Sequence, residues 1–366
     1  MPSDYMQQAL DLAKQGHGRT SPNPAVGAVI VQNDKVVGRG FHTWSGVDHA
    51  EIVALREAGE AARGATLYVT LEPCFHQGRT GPCADVVISA GVKKVVAAME
   101  DPNPQVSGQG LQKLREAGIE VVLDETHHES AFRLNEPFVH FMKIGRPLVT
   151  IKAALTLDGK IAAPQDNYGW ITSEVARAEV QQVRHFSDAI LTGLGTVLQD
   201  DCLLTDRSGR ERSRPLLRIV LDSQLRIPLT TKMVTSVKND LLIVGTSAAP
   251  EERRKALEAA GARVLIADGP GGRTDPQQVL EYLGKERYLS LMVEAGSKVN
   301  WAMLDTQIAD KVLFYYAPKI LGGLHSLPVA GGKGRLRRAD AIMMERVTLH
   351  QVSKDEFAVE AYVTKS

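Results

Sequence analysis

The residues best suited to chemistry fall between positions 49 and 83. His49-Ala50-Glu51 opens a helix-like stretch, Glu72-Pro73-Cys74 follows a strand-like one, and Cys83 comes after Gly81-Pro82 where another helical run begins. One imidazole and two thiolates supply three zinc ligands and leave a fourth tetrahedral position for water, as a catalytic zinc requires. Two of the three stand at helix starts, where the positive end of the helix dipole favours a thiolate. Glu51, two residues past His49, is placed to reach water on the metal while staying outside the ligand set. A carboxylate there can take a proton from water and hand it to a departing amine. A closed site with His42 or His76 as fourth ligand is the competing reading, and two buried cysteines without a metal is another. Closed structural sites usually bring paired C-x2-C knuckles, which this sequence lacks.

These positions need an α/β scaffold to bring them together. Residues 4–16 carry an amphipathic pattern that ends at Gly16 and predicts a helix. AVGAVIV and KVVGRGF flank Asn33-Asp34, a hairpin signal. HAEIVALREAGEAARG, CADVVISAG and GQGLQKLREAG read as helices, alternating with the strand-like ATLYVTL, KKVVAAM and IEVVLD. A helical stretch over 125–146, broken by Pro137, Gly145 and Pro147, sets a boundary near 146. The expected units are residues 1–146 and 147–366. In the second, LVTIKAAL, SDAILTG, LLRIVLD, DLLIVGT, ARVLIA, YLSLMVE and KVLFYYA read as strands. EVARAEVQQVRHF, PEERRKALEAAG and PQQVLEYLG read as helices, and 206–214 and 268–276 as exposed loops. Asp158-Gly159 predicts a hairpin turn. Both units are therefore α/β, with right-handed crossovers wherever strands run parallel.

The second unit carries weaker chemical signals. Lys152 is the only charge in LVTIKAAL, so it reaches an edge or faces a site. Gly193-Leu194-Gly195 is an incomplete dinucleotide fingerprint, because Leu198 holds the third glycine position. Glu294-Ala295-Gly296-Ser297 follows a strand and opens a helix, a geometry that cradles phosphate on backbone N–H groups. Two such turns in one sheet point to a nucleotide crevice, and glycine packing at strand–helix junctions is the plain alternative. Arg207, Arg210, Arg212, Arg214 and Arg218 crowd a loop; most are read as solvated, with one or two available to a phosphate.

Composition narrows the function classes. The 366 residues hold 43 Lys plus Arg against 43 Asp plus Glu, a balance unlike the basic face that long nucleic acid needs. No apolar run reaches the roughly 18 residues of a membrane span, and the first residues lack a signal-peptide core, so a cytoplasmic protein is expected. Three cysteines are too few and odd in number for a disulfide framework.

The order HAE, then PC, then a second Cys matches the zinc-deaminase signature, whose glutamate is an acid/base and not a ligand. EPCFHQGRTGPC, with eight residues between its cysteines, resembles the deaminase domain of the bifunctional riboflavin-biosynthesis deaminase/reductases, within the cytidine-deaminase superfamily. Nucleic-acid deaminases usually carry a tighter C-x2-C. PNPAVGAVIV, GRGFHTWSGVDHAE and DPNPQVSGQG extend the resemblance. KAALTLDGKIA, WITSEVARAEVQQVRHFSDAILTGLGTVLQDD, RIVLDS, VEAGS and YYAPKILGG carry it through the second unit, where the family has a dihydrofolate-reductase-like fold. Phe75, Gly81, Tyr168 and Cys202 depart from the family's usual residues.

The resemblance implies one zinc ion on His49, Cys74 and Cys83, with Glu51 as proton shuttle. It places Asn23, His42, His76 and Arg79 against an aminopyrimidinone and its ribose phosphate. Asn23 also reads as a turn former, and Arg79 as a solvated charge. In the second unit it implies NADPH on Ala154, Trp170, Thr196, Asp200, Ser223, Gly296 and Ser297. Substrate falls to Lys152, Tyr168, Arg184, Leu204, Arg207 and Glu294, and Cys202 is left as a plain thiol. The implied activity is zinc-dependent deamination of a small phosphorylated pyrimidine, then NADPH-dependent reduction of its ribosyl chain. A homo-oligomer is expected, with neither nucleic acid nor membrane as partner. Two competitors are a nucleic-acid base deaminase with an unrelated C-terminal domain and a zinc-stabilised nucleotide-binding regulator. The first wants stacking aromatics, which make up only 5% here, and the second wants a closed metal site.

Overall fold

The carboxylate of Asp4 accepts from Gln7 N at 2.9 Å and so caps the first helix, α1 (Tyr5–Gln15). The structure, a computed structural model, describes residues 4–75, 81–104, 106–165 and 169–365. The chain divides between Gly145 and Arg146, with residues 211–214 grouped with the first unit.

In the first unit β1 (Gly27–Gln32) and β2 (Lys35–Phe41) pair antiparallel around Asn33 and Asp34. Both turn residues have positive φ, the geometry of the two-residue hairpins that these residue types favour. Then come α2 (Ala50–Ala58), β3 (Thr66–Val69), α3 (Cys83–Ser89), β4 (Lys94–Ala97), α4 (Gln109–Glu116) and β5 (Glu120–Leu123). Two further helices, α5 (Glu125–Leu134) and α6 (Glu136–Ile144), close the unit, with Pro137 in the first turn of α6, where its missing N–H costs nothing. The described strands order as β2-β1-β3-β4-β5, with β3, β4 and β5 parallel. Val29, Ile30, Leu67, Val95, Leu111 and Leu114 are wholly buried between this sheet and its helices. A Cβ on Gly40 would lie 2.1 Å from the Ala50 carbonyl, so the bare backbone of β2 lets the start of α2 pack directly on the sheet.

The second unit opens with β6 (Leu148–Thr156), β7 (Lys160–Ala162), α7 (Glu174–Phe186), β8 (Ala189–Gly193) and α8 (Leu194–Asp200). Next are β9 (Leu217–Leu221), α9 (Lys232–Thr235), β10 (Leu241–Gly245), α10 (Glu251–Ala259) and β11 (Arg263–Ile266). They are followed by β12 (Asp268–Gly269), β13 (Arg273–Thr274), α11 (Pro276–Lys285), β14 (Ser290–Val293) and α12 (Ser297–Asp305). The chain finishes with β15 (Lys311–Ala317), β16 (Leu327–Pro328), β17 (Met344–Gln351) and β18 (Phe357–Val363). The large described sheet runs β11-β10-β9-β8-β14-β6-β15-β18-β17. Its first seven strands in that order are parallel, and the last two antiparallel. Helices on both faces bury β8 and β10 along their full length, which is why both read as unbroken apolar runs.

Three features differ from the pattern reading. Asp158-Gly159 does make a turn, but β7 leaves β6 and pairs with β16. Residues 268–274 form a short β12–β13 hairpin where a loop was expected. The C-terminal β17–β18 hairpin gave no clear signal, because β17 is an edge strand whose side chains are mostly exposed and so lack apolar alternation. No helix among the described residues is long and apolar enough to cross a membrane.

Asp310, which is buried, ties the two ends of this unit together. Its carboxylate accepts from Arg146 Nη1 and Nη2, both at 2.7 Å, and from Val149 N at 2.9 Å, with Lys365 Nζ at 3.2 Å. Removing one member of such a pair strands the other charge in a low dielectric. Asp310→Ala is therefore expected to destabilise the second unit by about 3 kcal/mol. Differential scanning calorimetry checks this, and an unchanged melting transition would show the clasp to be idle.

Candidate active sites

His49 is the N-cap of α2, Cys83 is the first residue of α3, and Cys74 lies in the turn that leaves β3. Three separate segments thus meet at one edge of the sheet. Their ligand atoms all lie within 4.8 Å of one another. His49 Nδ1 is 3.1 Å from Cys83 Sγ and 3.5 Å from Cys74 Sγ, while Cys83 N donates to Cys74 Sγ at 3.3 Å. Such separations suit one small tetrahedral ion with thiolate and imidazole bonds of about 2.0–2.3 Å, and the donor set is the one zinc prefers. The Cys74 thiol is held down to about 4, first by its hydrogen bond with Cys83 and also by His49. Cys83 is pushed up by the same contact and by burial.

Glu51 sits in the first turn of α2, fully buried, with its carboxylate hydrogen-bonded to Cys83. Burial pushes it up to about 7, and the Cys74 thiolate adds to the effect. A carboxyl poised there exchanges a proton near neutral pH, the property asked of a shuttle. Asn23 Nδ2 lies 3.0 Å from His42 Nε2, and His42 Nδ1 lies 2.9 Å from the Asp48 carbonyl oxygen. Both nitrogens of His42 are thereby engaged, and its ring meets His49 edge-on at 5.2 Å without joining the ligand group. His76 and Arg79 lie outside the described residues. Asn135, which the pattern reading passed over, holds the Asn23 segment: its Oδ1 accepts from Ala25 N at 2.8 Å and its Nδ2 donates to the Ala25 carbonyl at 2.9 Å. Its place between two helices reads only as a junction, and no local signal reveals a partner so far back in the chain.

In the second unit several of the expected substrate residues meet just past the end of β14, beside the middle of β6. Glu294 leaves β14 with its side chain largely shielded from solvent, gripped by Arg184 Nε at 2.7 Å and Nη2 at 2.9 Å, with Lys152 Nζ from β6 at 3.6 Å. Burial alone would raise the Glu294 pKa, but Lys152 and Arg184 hold it down to about 2. Burial in turn lowers the Lys152 ammonium, and Arg184 lowers it further. The last turns of α7 also grip the loop that carries Leu204 and Arg207. Arg184 Nη1 donates to the Thr205 carbonyl at 3.2 Å, His185 Nδ1 lies 2.9 Å from Asp206, and Gln181 accepts from Arg207 N at 2.9 Å. The roles of Gln181, His185 and Asp206 were not foreseen, although Gln181, Arg184 and His185 share one helix face. Tyr168 lies outside the described residues.

The expected cofactor residues spread along the same sheet edge. Thr196 and Asp200 are on α8, Ser223 follows β9, Gly296 and Ser297 start α12, and Ala154 is in β6. A Cβ on Gly296 would stand 3.9 Å from Thr196 Oγ1, so the starts of α8 and α12 adjoin. Among the described residues Ser297 Oγ, which is buried, has no hydrogen-bond partner, and it stands at the N-terminus of a nine-residue helix. An orphan hydroxyl in that place fits a phosphate-bearing cofactor. Ser223 Oγ accepts from Thr274 N at 3.2 Å. Trp170 is two-thirds exposed, with the Arg177 guanidinium 4.9 Å from its ring centroid and its carbonyl accepting from Lys319 Nζ at 2.7 Å. Burial pushes the Cys202 thiol up to about 11, consistent with an unreactive side chain.

Comparison with known proteins bears on both units. Residues 2–99 match the cytidine and deoxycytidylate deaminase zinc-binding region, and residues 147–356 match the RibD C-terminal domain. The second match excludes an unrelated C-terminal domain. The riboflavin biosynthesis protein RibD of Actinobacillus pleuropneumoniae is 41% identical over 96% of this chain and 93% of its own length. That of Escherichia coli is also 41% identical, over 96% of each. Among solved structures, Acinetobacter baumannii RibD superposes with a TM-score of 0.86 at 37% identity, covering 99% of this chain and 98% of that one. A diaminohydroxyphosphoribosylaminopyrimidine deaminase/5-amino-6-(5-phosphoribosylamino)uracil reductase from Thermotoga maritima gives 0.84 at 35% identity, covering 98% of each chain. With both domains matched and relatives of this identity spanning nearly its whole length, the chain belongs to the RibD family of bifunctional riboflavin-biosynthesis enzymes, a zinc-binding deaminase domain joined to a reductase domain.

Proposed function

We propose that the first domain deaminates 2,5-diamino-6-(5-phosphoribosylamino)pyrimidin-4(3H)-one, and that the second reduces the ribosyl chain of the product to ribityl with NADPH. The observation that carries the first half is the meeting of His49, Cys74 and Cys83 beside the buried carboxyl of Glu51. Zinc on these three ligands supplies the Lewis acidity that lets water ionise near pH 7. Glu51 takes a proton from the water that adds to the amine-bearing ring carbon. It returns a proton to the amine as the C–N bond breaks, so one carboxyl serves as base and then as acid. Asn23, fixed by His42 and by the hold of Asn135 on Ala25, presents its amide to the heterocycle edge. His76 and Arg79 are assigned to the ribose phosphate on the resemblance.

In the second domain Ala154, Trp170, Thr196, Asp200, Ser223, Gly296 and Ser297 are the residues that would hold NADPH, with Ser297 Oγ and the start of α12 toward phosphate. NADPH supplies a hydride to C1′ of the ring-opened imine of the ribose. Opening that ring calls for a proton on the sugar oxygen, and the Lys152 ammonium, largely shielded beside Glu294, is the group we assign to steady the sugar and give it. Arg184, Leu204, Arg207 and Tyr168 complete the substrate contacts, so positioning carries most of the catalytic demand. The working partner is this small phosphorylated pyrimidine, with no part for nucleic acid or membrane and with action in the cytoplasm. Exposed Val347 and Leu349 on the edge strand β17 support self-association into a homo-oligomer.

Glu51→Gln is expected to keep its zinc and lose about a thousandfold in ammonia release, with NADPH oxidation on the deaminated substrate untouched. Near-normal ammonia release from the purified variant would remove Glu51 from the mechanism. Chelation offers a second check: ammonia production stops, while NADPH absorbance still falls when the deaminated substrate is supplied. Loss of both activities together would contradict two separate sites. A third expectation concerns pH. The ionised Glu294 cluster contributes fully above the ordinary carboxylate range near about 4.3 and is lost only as pH falls toward about 2. In Arg184→Met the opposing effect of burial gains ground, so the acid limb of reductase kcat/KM moves to higher pH. A pH–rate profile identical to the parent's would count against this balance.

A further inference from the structure

Glu72 precedes the Pro73-Cys74 turn, is almost wholly buried, and belongs to neither the ligand set nor the proton shuttle. Its two oxygens accept four backbone N–H groups. Oε2 takes Asp101 N at 2.8 Å and Gly108 N at 2.9 Å, and Oε1 takes Gly110 N at 2.8 Å and Leu111 N at 3.2 Å. Gly108 is the N-cap of α4, with φ at 79°, so the carboxylate lies against the positive end of that helix. Backbone contact tightens the junction: a Cβ on Gly110 would fall 2.0 Å from the Pro73 carbonyl oxygen. On the other side, Cys83 N donates to Cys74 Sγ and Ala84 N donates to the Cys74 carbonyl at 3.0 Å. Cys74 is therefore clamped between the starts of α3 and α4, and Glu72 is the side chain that attaches it to α4.

The same carboxylate reaches the loop between β4 and α4. Because β3 and β4 are parallel, with Val69 beside Ala97, the loop leaving β4 emerges at the same sheet edge as Cys74. Open parallel sheets bind ligands at that edge. We propose that Glu72 is a positioning residue of the deaminase: by anchoring Asp101, Gly108, Gly110 and Leu111 to the Cys74 segment, it sets the hold on the metal and the wall of the substrate crevice together. This rests on the zinc-deaminase reading given above, and the test separates the two.

Glu72→Gln keeps the shape but replaces one acceptor oxygen by an NH2 facing two backbone N–H groups, and it removes the charge. In the zinc-loaded full-length chain, zinc transfer to a chromogenic chelator is expected to run about 10- to 100-fold faster than in the parent, at a temperature well below melting. In zinc-saturating buffer the deaminase KM is expected to rise about tenfold while kcat falls less, with reductase kinetics unchanged. The shorter Glu72→Asp retains the charge but cannot span all four N–H groups, so its zinc release falls between the two. It also serves as the test should Glu72→Gln not fold. Zinc release and deaminase KM within twofold of the parent, in a variant that melts normally, would overturn the proposal. So would a uniform loss of stability with no change in KM. A parent chain that binds no zinc would instead defeat the underlying deaminase reading.

Discussion

Glu294 lies largely shielded from water between the two guanidinium contacts of Arg184 and the ammonium of Lys152, and these contacts tie α7 and β6 of the second domain together. A carboxylate taken out of water needs either a proton or positive partners beside it. Here the partners come from α7 and β6, which fixes how the helix lies on the sheet and, through Thr205, where the loop bearing Arg207 runs. The first domain resolves the same constraint in two other ways. Glu51, with the thiols as neighbours, leans toward its protonated form. Glu72 is satisfied by four backbone N–H groups and needs no cation. Three glutamates taken largely out of water thus meet one constraint in three ways.

The metal centre was legible because its chemistry is local in sequence. HAE at a helix start, PC after a strand and a Cys opening the next helix name both the donors and the elements that carry them. The parallel strands were legible too, since strands covered on both faces are apolar along their length. Sites in the second domain came mainly through resemblance. Its expected residues are scattered over β6, the turns that follow β8, β9 and β14, and the helices beside them, so no one segment carries a recognisable pattern.

What stayed hidden shares a physical character. Asn135 clasps Ala25 across 110 residues, and a bidentate amide clasp leaves no periodic trace. His185 and Asp206 meet only because α7 packs beside the 205–208 loop, and a histidine at a helix end reads equally well as a dipole partner. β7 was assigned to its sequence neighbour because a turn specifies a reversal and not a ladder; the partner, β16, is a two-residue strand containing Pro328.

The strand order of the large sheet also has a consequence for how the chain acquires its structure. Among the described strands β6, the first of the second domain, pairs with β14 and β15, so Leu148 must wait for Ser290 and Ile151 for Val312. During synthesis the first domain's five described strands are all available by Leu123, whereas β6 emerges long before either flank exists. Its run LVTIKAAL is an apolar edge until then. Non-local pairing of this kind slows folding and leaves unpaired strands open to association. In a nascent chain the reductase half is therefore the part whose strands stay longest without their neighbours.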